Sequence, residues 1–220
     1  MGIVIAIDGP AGAGKSTIAR GLAQRLGFTY IDSGAMYRAV ALWALRENLD
    51  PSDSHRMEQL ARAAEIRLEA GGGVSLNGED VTQAIRETAV SVAASVVAAV
   101  ASVRRALVEK QRAIGAQSNV VMEGRDIGSV VFPAANVKIF LDADPAERVR
   151  RRAQETAADP ARVSGEIEDR DRRDRARSES PLTQAPDAVY LDSTGLSIEQ
   201  VEEAILRIVR ARITNGKEFR

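Results

Sequence analysis

The sequence predicts an α/β fold with a mostly parallel central sheet. Short apolar segments that suit buried strands alternate along the chain with longer amphipathic segments that suit helices. The first of them, Ile3 to Ile7, is a continuous and largely β-branched run, as expected of a strand buried on both faces. A glycine-rich turn and an amphipathic helix from Lys15 to Leu26 follow it directly. This order is typical of the first strand, loop and helix of a nucleotide-binding domain.

The same alternation continues to the end of the chain. Extended segments are predicted at Tyr30–Asp32, Asn119–Met122, Val137–Leu141 and Val189–Leu191. Helices are predicted at Ala35–Arg46, from Asp144-Pro145, on both sides of a loop at Ala157–Arg162, and at Ile198–Ile213. The 220 residues therefore suit one domain.

The middle of the chain departs from this pattern. Three consecutive glycines and the tight-turn pair Asn77-Gly78 punctuate short alternating segments, so residues 65–85 predict a small β insert outside the main sheet. One long helix is predicted from Thr88 to Ile114. The weakly polar stretch Ala89–Val103 is shorter than the about 20 apolar residues of a membrane span, so no membrane association is expected.

Composition excludes several classes of function. Lys and Arg number 30 against 31 Asp and Glu, which argues against a broad nucleic-acid-binding surface. The chain has no cysteine and one histidine, His55, so it can form neither a disulfide, a thiolate zinc site nor a pair of histidine ligands. His55 lies in a polar stretch and is expected at the surface. A cytoplasmic location fits this composition.

The glycine-rich turn carries the phosphate-binding pattern G-x-x-x-x-G-K-[ST]. Its residues are Gly9, Pro10, Ala11, Gly12, Ala13, Gly14, Lys15, Ser16 and Thr17. Glycines let successive backbone N–H groups point at phosphate oxygens, and the following helix adds its positive dipole end. Lys15 is expected to reach the β- and γ-phosphates of ATP, and Ser16 to bind Mg²⁺. The alternative is a turn that only joins a strand to a helix.

Residues outside this loop favour a kinase over other nucleotide-binding enzymes. The chain has no Asn-Lys-x-Asp guanine-recognition motif, and its strand at residues 119–122 continues into Glu123-Gly124 rather than into an acidic pair typical of ATPase motors. Many arginines lie outside the phosphate loop, which suits a second anionic substrate. A local basic pocket is compatible with the balanced net charge.

Three arginine-containing segments are candidates for that substrate. Ser33 and Arg38 flank a helix start, although a capped helix with a surface arginine explains them equally well. Arg125 and Asp126 follow a predicted central strand, where ligands bind in open α/β sheets; a loop salt bridge is the alternative. Arg170, Asp174 and Arg177 are spaced for one helix face, yet their spacing alone is better explained by a solvated, salt-bridged helix.

The chain resembles the bacterial cytidylate kinases over nearly its whole length. Four segments carry the resemblance, in the same order: the phosphate loop, the segment Asp32–Arg38, the turn Gly124-Arg125-Asp126 and the helix Arg170–Arg177. The resemblance implies a three-layer P-loop kinase fold with a CMP-binding insert at about residues 65–85 and an arginine-rich lid at about 148–165. The family often has a proline shortly before the arginine that corresponds to Arg104, where this chain reads Val100-Ala101-Ser102-Val103.

The resemblance also implies roles for individual residues. Lys15, Arg38 and Arg125 would be catalytic, and Arg38 and Arg125 would hold the phosphate of CMP or dCMP near Ser33. The residues around the cytosine would be Ser95, Arg104, Asp126 and Arg177, and those near the ribose Arg170 and Asp174. Any one of Arg148, Arg150, Arg151 and Arg152 could contact the transferred phosphoryl group.

The expected reaction is direct transfer of the γ-phosphoryl group from ATP to CMP. The acceptor phosphate has a second pKa of about 6, so no general base is needed. Besides Ser16, Asp32 or Glu123 could hold Mg²⁺ through water. A kinase for UMP, AMP or shikimate, an ATP-binding regulatory module and a nucleic-acid-binding protein are the alternatives, and the family resemblance implies a monomer.

Overall fold

The computed structural model describes residues 2–51, 53–69 and 71–213. Its strands are β1 (Val4–Asp8), β2 (Thr29–Asp32), β3 (Ile66–Leu68), β4 (Val74–Leu76), β5 (Glu79–Asp80), β6 (Val120–Gly124), β7 (Val137–Asp142) and β8 (Val189–Asp192). Its α-helices are α1 (Lys15–Leu26), α2 (Ser33–Arg46), α3 (Ser54–Ala63), α4 (Thr88–Val97), α5 (Ala101–Gly115), α6 (Pro145–Thr156), α7 (Pro160–Ala176) and α8 (Ile198–Ile213). The chain forms two compact units, residues 1–30 with 118–220, and residues 31–117.

The main sheet has five strands in the order β2-β6-β1-β7-β8. The pairs β1–β6, β1–β7 and β7–β8 are parallel, which confirms the predicted fold class. All five residues of β1 are buried, as its β-branched composition predicts for a central strand. Ile5, Ile7 and Leu141 share a core with Leu22 of α1 and Ile205 of α8.

Capping residues mark the starts of α6 and α8, as predicted, in the unit of residues 1–30 with 118–220. The Asp144 carboxylate accepts a hydrogen bond from the Ala146 N–H (2.8 Å), and Pro145 occupies the first helical turn. Before α8, the Gln200 side chain accepts from the Ser197 N–H (2.8 Å), while the Ser197 hydroxyl accepts from the Gln200 N–H (3.3 Å). This reciprocal pair is a capping box.

The unit of residues 31–117 contains the second sheet, of β3, β4 and β5, in which both strand pairs are antiparallel. Asn77 and Gly78 have positive φ angles of 53° and 87°, as the predicted tight turn requires. Helix α2 contributes Met36 and Val40 to the core of this unit, and β4 contributes Leu76. The small sheet predicted at residues 65–85 is therefore present.

The prediction of one long helix from Thr88 to Ile114 is wrong. Helices α4 and α5 are bent by 100° at residues 98–100. Val100 is extended (φ −76°, ψ 111°), and its carbonyl accepts from the Arg104 N–H (3.1 Å), which starts the second helix. No glycine or proline marks the break, and buried Val97 and Val103 on either side join the same core. Tertiary packing therefore bends a segment whose pattern reads as continuous.

Helix α3 is an element that the sequence analysis missed. Asp53 caps it by accepting from the Arg56 N–H (3.1 Å), and Met57, Leu60 and Ala61 are buried at helical spacing. His55 of this helix is exposed, as predicted. Within the described ranges no single helix is long and apolar enough to cross a membrane, and only the bent pair α4 and α5 reaches the threshold, by length and composition.

Candidate active site

The phosphate loop leaves the carboxyl end of the central strand β1. Gly9 has φ +150°, and a Cβ there would lie 1.9 Å from the Leu141 carbonyl oxygen. Gly12 has φ +77°, and its Cβ would lie 2.8 Å from the Arg148 carbonyl oxygen. Backbone of β7 and α6 thus approaches the loop so closely that only glycine fits at these two positions.

The loop ends at the amino end of α1. Gly14 precedes the helix in a left-handed conformation, and the first turn carries neither a capping side chain nor an acidic residue. The N–H groups of this turn, with the positive end of the helix dipole, are therefore suited to an anion. Ser16 and Thr17 are exposed there.

Lys15 is buried and folded onto its own loop. Its Nζ donates to the Pro10 carbonyl oxygen at 2.6 Å. Burial, and next the positive charge of Arg125, lower the pKa of Lys15 to about 7. A phosphate group beside this amine would favour its charged form. A loop carbonyl oxygen therefore holds the amine that the motif assigns to phosphate binding.

A cluster of three charged side chains in the same unit joins Arg125, which follows β6, to Asp174 and Arg177 at the end of α7. Asp174 of α7 is 1% exposed and accepts from Arg125 Nε at 2.9 Å and from Arg177 Nη2. Burial opposes the ionisation of Asp174, but Arg125, Arg177 and Arg170 outweigh it and hold its pKa below the usual value. One carboxylate thereby aligns two arginines that were predicted to bind CMP.

The turn after β6 is fixed by a residue that the sequence analysis did not single out. Asp8, the last residue of β1, is 5% exposed, and its carboxylate accepts from the N–H groups of Ile127 (2.8 Å) and Gly128 (2.7 Å). Burial raises the pKa of Asp8 to about 6, although both hydrogen bonds oppose this. Asp126, predicted to read cytosine, is buried directly before this pair of residues. Only its position beside the phosphate loop could have drawn attention to Asp8.

Glu123, a candidate for holding Mg²⁺, lies at the carboxyl end of β6. It is 4% exposed and accepts from the Tyr30 hydroxyl at 2.7 Å. Its negative charge favours protonated Lys15. Within the described ranges no group of three or more His, Cys, Asp or Glu side chains could hold a metal by itself. A divalent ion here would need oxygens of the nucleotide or of water as further ligands.

A second missed interaction links the phosphate loop to α6 and α7. The Asp171 carboxylate accepts from the Ala11 N–H (3.1 Å) and from Arg148 Nη1 (2.5 Å), and the same Nη1 donates to the Ala11 carbonyl oxygen (3.0 Å). Arg148 and Asp171 are 7% and 4% exposed. Ala11 also packs against Val163 and Ile167 of α7. Helices α6 and α7 thus hold the phosphate loop at Ala11.

The remaining lid arginines differ in their partners. Arg151 donates to Ser193 Oγ (2.9 Å) and to Glu147 Oε1 (2.8 Å). Arg150 also pairs with Glu147, and Arg152 with Glu155 at 2.8 Å. Arg150 is more than half exposed, whereas Arg148 is buried in its own ion pair. Arg148 is therefore the least suited of the four to meet a substrate.

In the other unit, Asp32 organises the start of α2. Its carboxylate caps the helix by accepting from the Ala35 N–H at 2.9 Å, and it accepts from Arg38 Nη2 at 2.8 Å. Ser33 is buried, and the Arg38 side chain is 21% exposed. Since both Asp32 oxygens are engaged within this unit, Asp32 is a weaker candidate for holding Mg²⁺ than Glu123.

Ser95 and Arg104 lie on α4 and α5 of that unit. Both are buried, and the guanidinium of Arg104 lies 5.4 Å from the centre of the Tyr37 ring and donates to the Ala98 carbonyl oxygen at 3.3 Å. The buried Ser95 hydroxyl has no hydrogen-bond partner among the described residues. Such a hydroxyl is suited to a ligand that supplies the missing hydrogen bond.

The predicted site residues therefore divide into two groups. Those in the unit of the phosphate loop are Lys15, Ser16, Arg125, Asp126, Arg170, Asp174 and Arg177. Those in the unit of residues 31–117 are Ser33, Arg38, Ser95 and Arg104.

Comparison with known proteins places these features in a family. Residues 5–211 match the family model described as cytidylate kinase. The chain is 66% identical to a cytidylate kinase of Solibacter usitatus (strain Ellin6076), covering 99% of this chain and 96% of that protein. It is 50% identical to a cytidylate kinase of Pelotomaculum thermopropionicum, covering 97% and 96%.

Solved structures show likeness of fold alone. A gluconokinase from Sinorhizobium meliloti 1021 aligns with a TM-score of 0.50 at 14% identity, over 97% of this chain and 95% of its own. An uncharacterized protein from Eubacterium ventriosum ATCC 27560 aligns with a TM-score of 0.54 at 12% identity, over 96% and 99%. The family match and the two relatives with high identity decide the assignment: this chain belongs to the cytidylate kinase family.

Proposed function

We propose that this protein transfers the γ-phosphoryl group of ATP to CMP, and to dCMP, giving CDP or dCDP. The observation that carries the proposal is the cluster of Arg125, Asp174 and Arg177, which lies with Asp126 in the same unit as an intact phosphate loop. The cluster offers cations for a nucleotide phosphate and carboxylates for a base. Membership of the family supports CMP as the acceptor.

The base contacts follow from the chemistry of cytosine. Its exocyclic N4 amino group is a donor that a carboxylate can accept, and uracil has a carbonyl oxygen at the same position. We assign this recognition to Asp126 and Arg177, which lie in the unit of the phosphate loop. The contacts of Ser95 and Arg104 with cytosine stay a prediction from the family resemblance. Arg170 and Asp174 are assigned to the ribose, and the ion pairs of Asp174 make it above all a support for Arg125 and Arg177.

Transfer to the acceptor phosphate depends on neutralisation of charge more than on a general base. An oxygen of the CMP phosphate attacks the γ-phosphorus of ATP. The bond between the γ-phosphorus and the β–γ bridging oxygen breaks, and ADP leaves. Lys15, Arg38 and Arg125 hold the phosphates and lower the repulsion between them. Lys15 exchanges the Pro10 carbonyl oxygen for phosphate oxygens. A partly exposed arginine of α6, such as Arg152, is better placed to meet substrate than buried Arg148.

The residues present fit one Mg²⁺ bound with ATP. The exposed Ser16 hydroxyl would supply a direct oxygen ligand, and Glu123 in the same unit would supply a carboxylate that acts through water. Bound there, Mg²⁺ would neutralise charge on the β- and γ-phosphates. Asp32 remains the alternative carboxylate, with its oxygens shared between a helix cap and Arg38.

The test is a substrate panel. ADP release is measured with ATP and Mg²⁺ and, in turn, CMP, dCMP, UMP, AMP and GMP. Turnover led by CMP and dCMP supports the proposal. Turnover led by UMP or AMP would keep the kinase and discard the base-recognition residues, and no turnover with any acceptor would favour another acceptor or a regulatory ATP-binding module.

We also propose that the protein acts as a cytoplasmic monomer on small molecules without binding nucleic acid. The absence of cysteine supports the location, the near-balanced charge supports the lack of nucleic-acid binding, and the family resemblance supports the monomer. Light scattering of the purified protein tests the monomer, and a binding titration with DNA and RNA tests the lack of nucleic-acid binding.

A further inference from the structure

We infer that Asp8 is a positioning residue for the acceptor nucleotide. Its carboxylate holds the backbone turn that presents Arg125 and Asp126, so it should govern CMP binding without touching CMP. The inference rests on the proposed function, because it takes these two residues as CMP ligands.

The segment Arg125-Asp126 is bounded by β1 on both sides. On its amino-terminal side, β6 pairs with β1 in a register that places Gly124 opposite Asp8. On its carboxyl-terminal side, the two oxygens of Asp8 accept from the N–H groups of Ile127 and Gly128 at 2.8 and 2.7 Å. Only two residues lie between these anchors, so their backbone is held by the strand that also leads into the phosphate loop.

Space around the turn is as restricted as its hydrogen bonding. A Cβ at Gly128 would lie 3.1 Å from Lys138 Cδ and 3.4 Å from Asp8 Oδ2. Lys138 is itself fixed, with its Nζ donating to the Pro133 carbonyl oxygen (2.6 Å) and to Asp187 (2.8 Å). The turn therefore has little freedom to move away from Asp8.

A carboxylate is better suited to this task than its neutral analogues. The N–H groups of Ile127 and Gly128 both need an acceptor, because they are buried in the segment that follows β6. An asparagine would offer one acceptor and would turn its own NH₂ group toward the second N–H. Asp8→Asn therefore keeps the shape of the side chain and breaks one of the two anchors.

The first experiment compares KM values of wild type and Asp8→Asn for both substrates. We expect the KM for CMP to rise about tenfold, as for loss of one buried hydrogen bond that leaves a donor unsatisfied. The KM for ATP should change little, and CMP binding measured by calorimetry without ATP should weaken by the same factor. Equal changes in both KM values, or none for CMP, would overturn the inference.

A matched control separates positioning from general loosening of β1. Asn136 Oδ1 accepts from the Val4 N–H at 2.9 Å, at the opposite end of the same strand. Asn136→Ala should lower the melting temperature and leave the KM for CMP unchanged. If it raises this KM as much as Asp8→Asn does, the effect comes from the strand as a whole and the inference is wrong.

A second variant covers the case in which Asp8→Asn does not fold. Gly128→Ala keeps the carboxylate but crowds the turn against Lys138 and Asp8 Oδ2, and it should also raise the KM for CMP selectively. A wild-type KM for CMP in this variant would then contradict the inference. Failure of the proposed function shows separately, as a wild type that prefers another nucleotide; the same comparison is then made with that acceptor.

Discussion

Replacing Arg148 by methionine should destabilise the unit that carries the phosphate loop more than any exposed arginine substitution. The guanidinium is buried with Asp171, and one of its nitrogens also donates to the Ala11 carbonyl oxygen. Arg148→Met keeps most of the side-chain volume but leaves the Asp171 charge buried without its cation. Breaking such a pair costs about 3–5 kcal/mol, which for a protein of this size lowers the melting temperature by about 6–20 °C.

The assay is a double-mutant cycle in urea denaturation and thermal melting. Asp171→Asn retains an oxygen for the Ala11 N–H, so it removes the charge with little change of shape. In the double variant no charge remains uncompensated, and its loss of stability should be clearly smaller than the sum of the single losses. The difference is the coupling between Arg148 and Asp171.

The control is Arg162→Met in α7, which removes an exposed pair with Glu166 (3.4 Å) by the same type of substitution. This pair is open to solvent on both sides and should contribute little. If Arg148→Met proves no more destabilising than Arg162→Met, or if the two losses in the cycle simply add, the buried network does not stabilise this unit.

Three further predictions concern the site itself. Lys15→Ala should abolish ADP release and leave the circular dichroism spectrum unchanged; full activity would contradict the phosphate-loop assignment. Asp126→Ala and Arg177→Ala should each lower the ratio of kcat/KM for CMP over UMP by about tenfold, and an unchanged ratio would place base recognition elsewhere. The raised pKa of Asp8 means that the folded protein binds this proton more tightly than the unfolded chain. Wild type should therefore lose up to about 3 kcal/mol relative to Asp8→Asn as the pH rises from 4 to 6, and parallel stability curves would contradict the burial argument.

The elements predicted best are those whose local signals agree with their tertiary surroundings. Helices α1 and α8 were predicted with the bounds that the structure shows, because an amphipathic pattern, a glycine or a capping box marks their ends. Strands β1 and β7 were recognised because burial on both faces selects apolar β-branched residues. The break between α4 and α5 carries no such local signal, and packing alone decides it.

In the candidate site, too, local motifs could be predicted and long-range contacts could not. The phosphate loop is a contiguous motif, so its residues could be identified from spacing alone. The contacts of Asp8 and Asp171 with backbone N–H groups could not, because those groups lie 119 to 160 positions away in the chain and have no side-chain signature. Spacing favoured a solvated helix for Arg170, Asp174 and Arg177, whereas the structure buries Asp174 between two arginines.

The central position of β1 also determines when this chain can fold during synthesis. The unit of residues 31–117 is continuous and can form once its last residue has left the ribosome. Among the described residues, strand β1 pairs with β6 and β7, and the partner of Val4 is Val120, 116 positions later. At about 5–20 residues per second, β1 is synthesised roughly 6–23 s before that partner. The apolar residues of β1 are thus synthesised well before the strands that bury them.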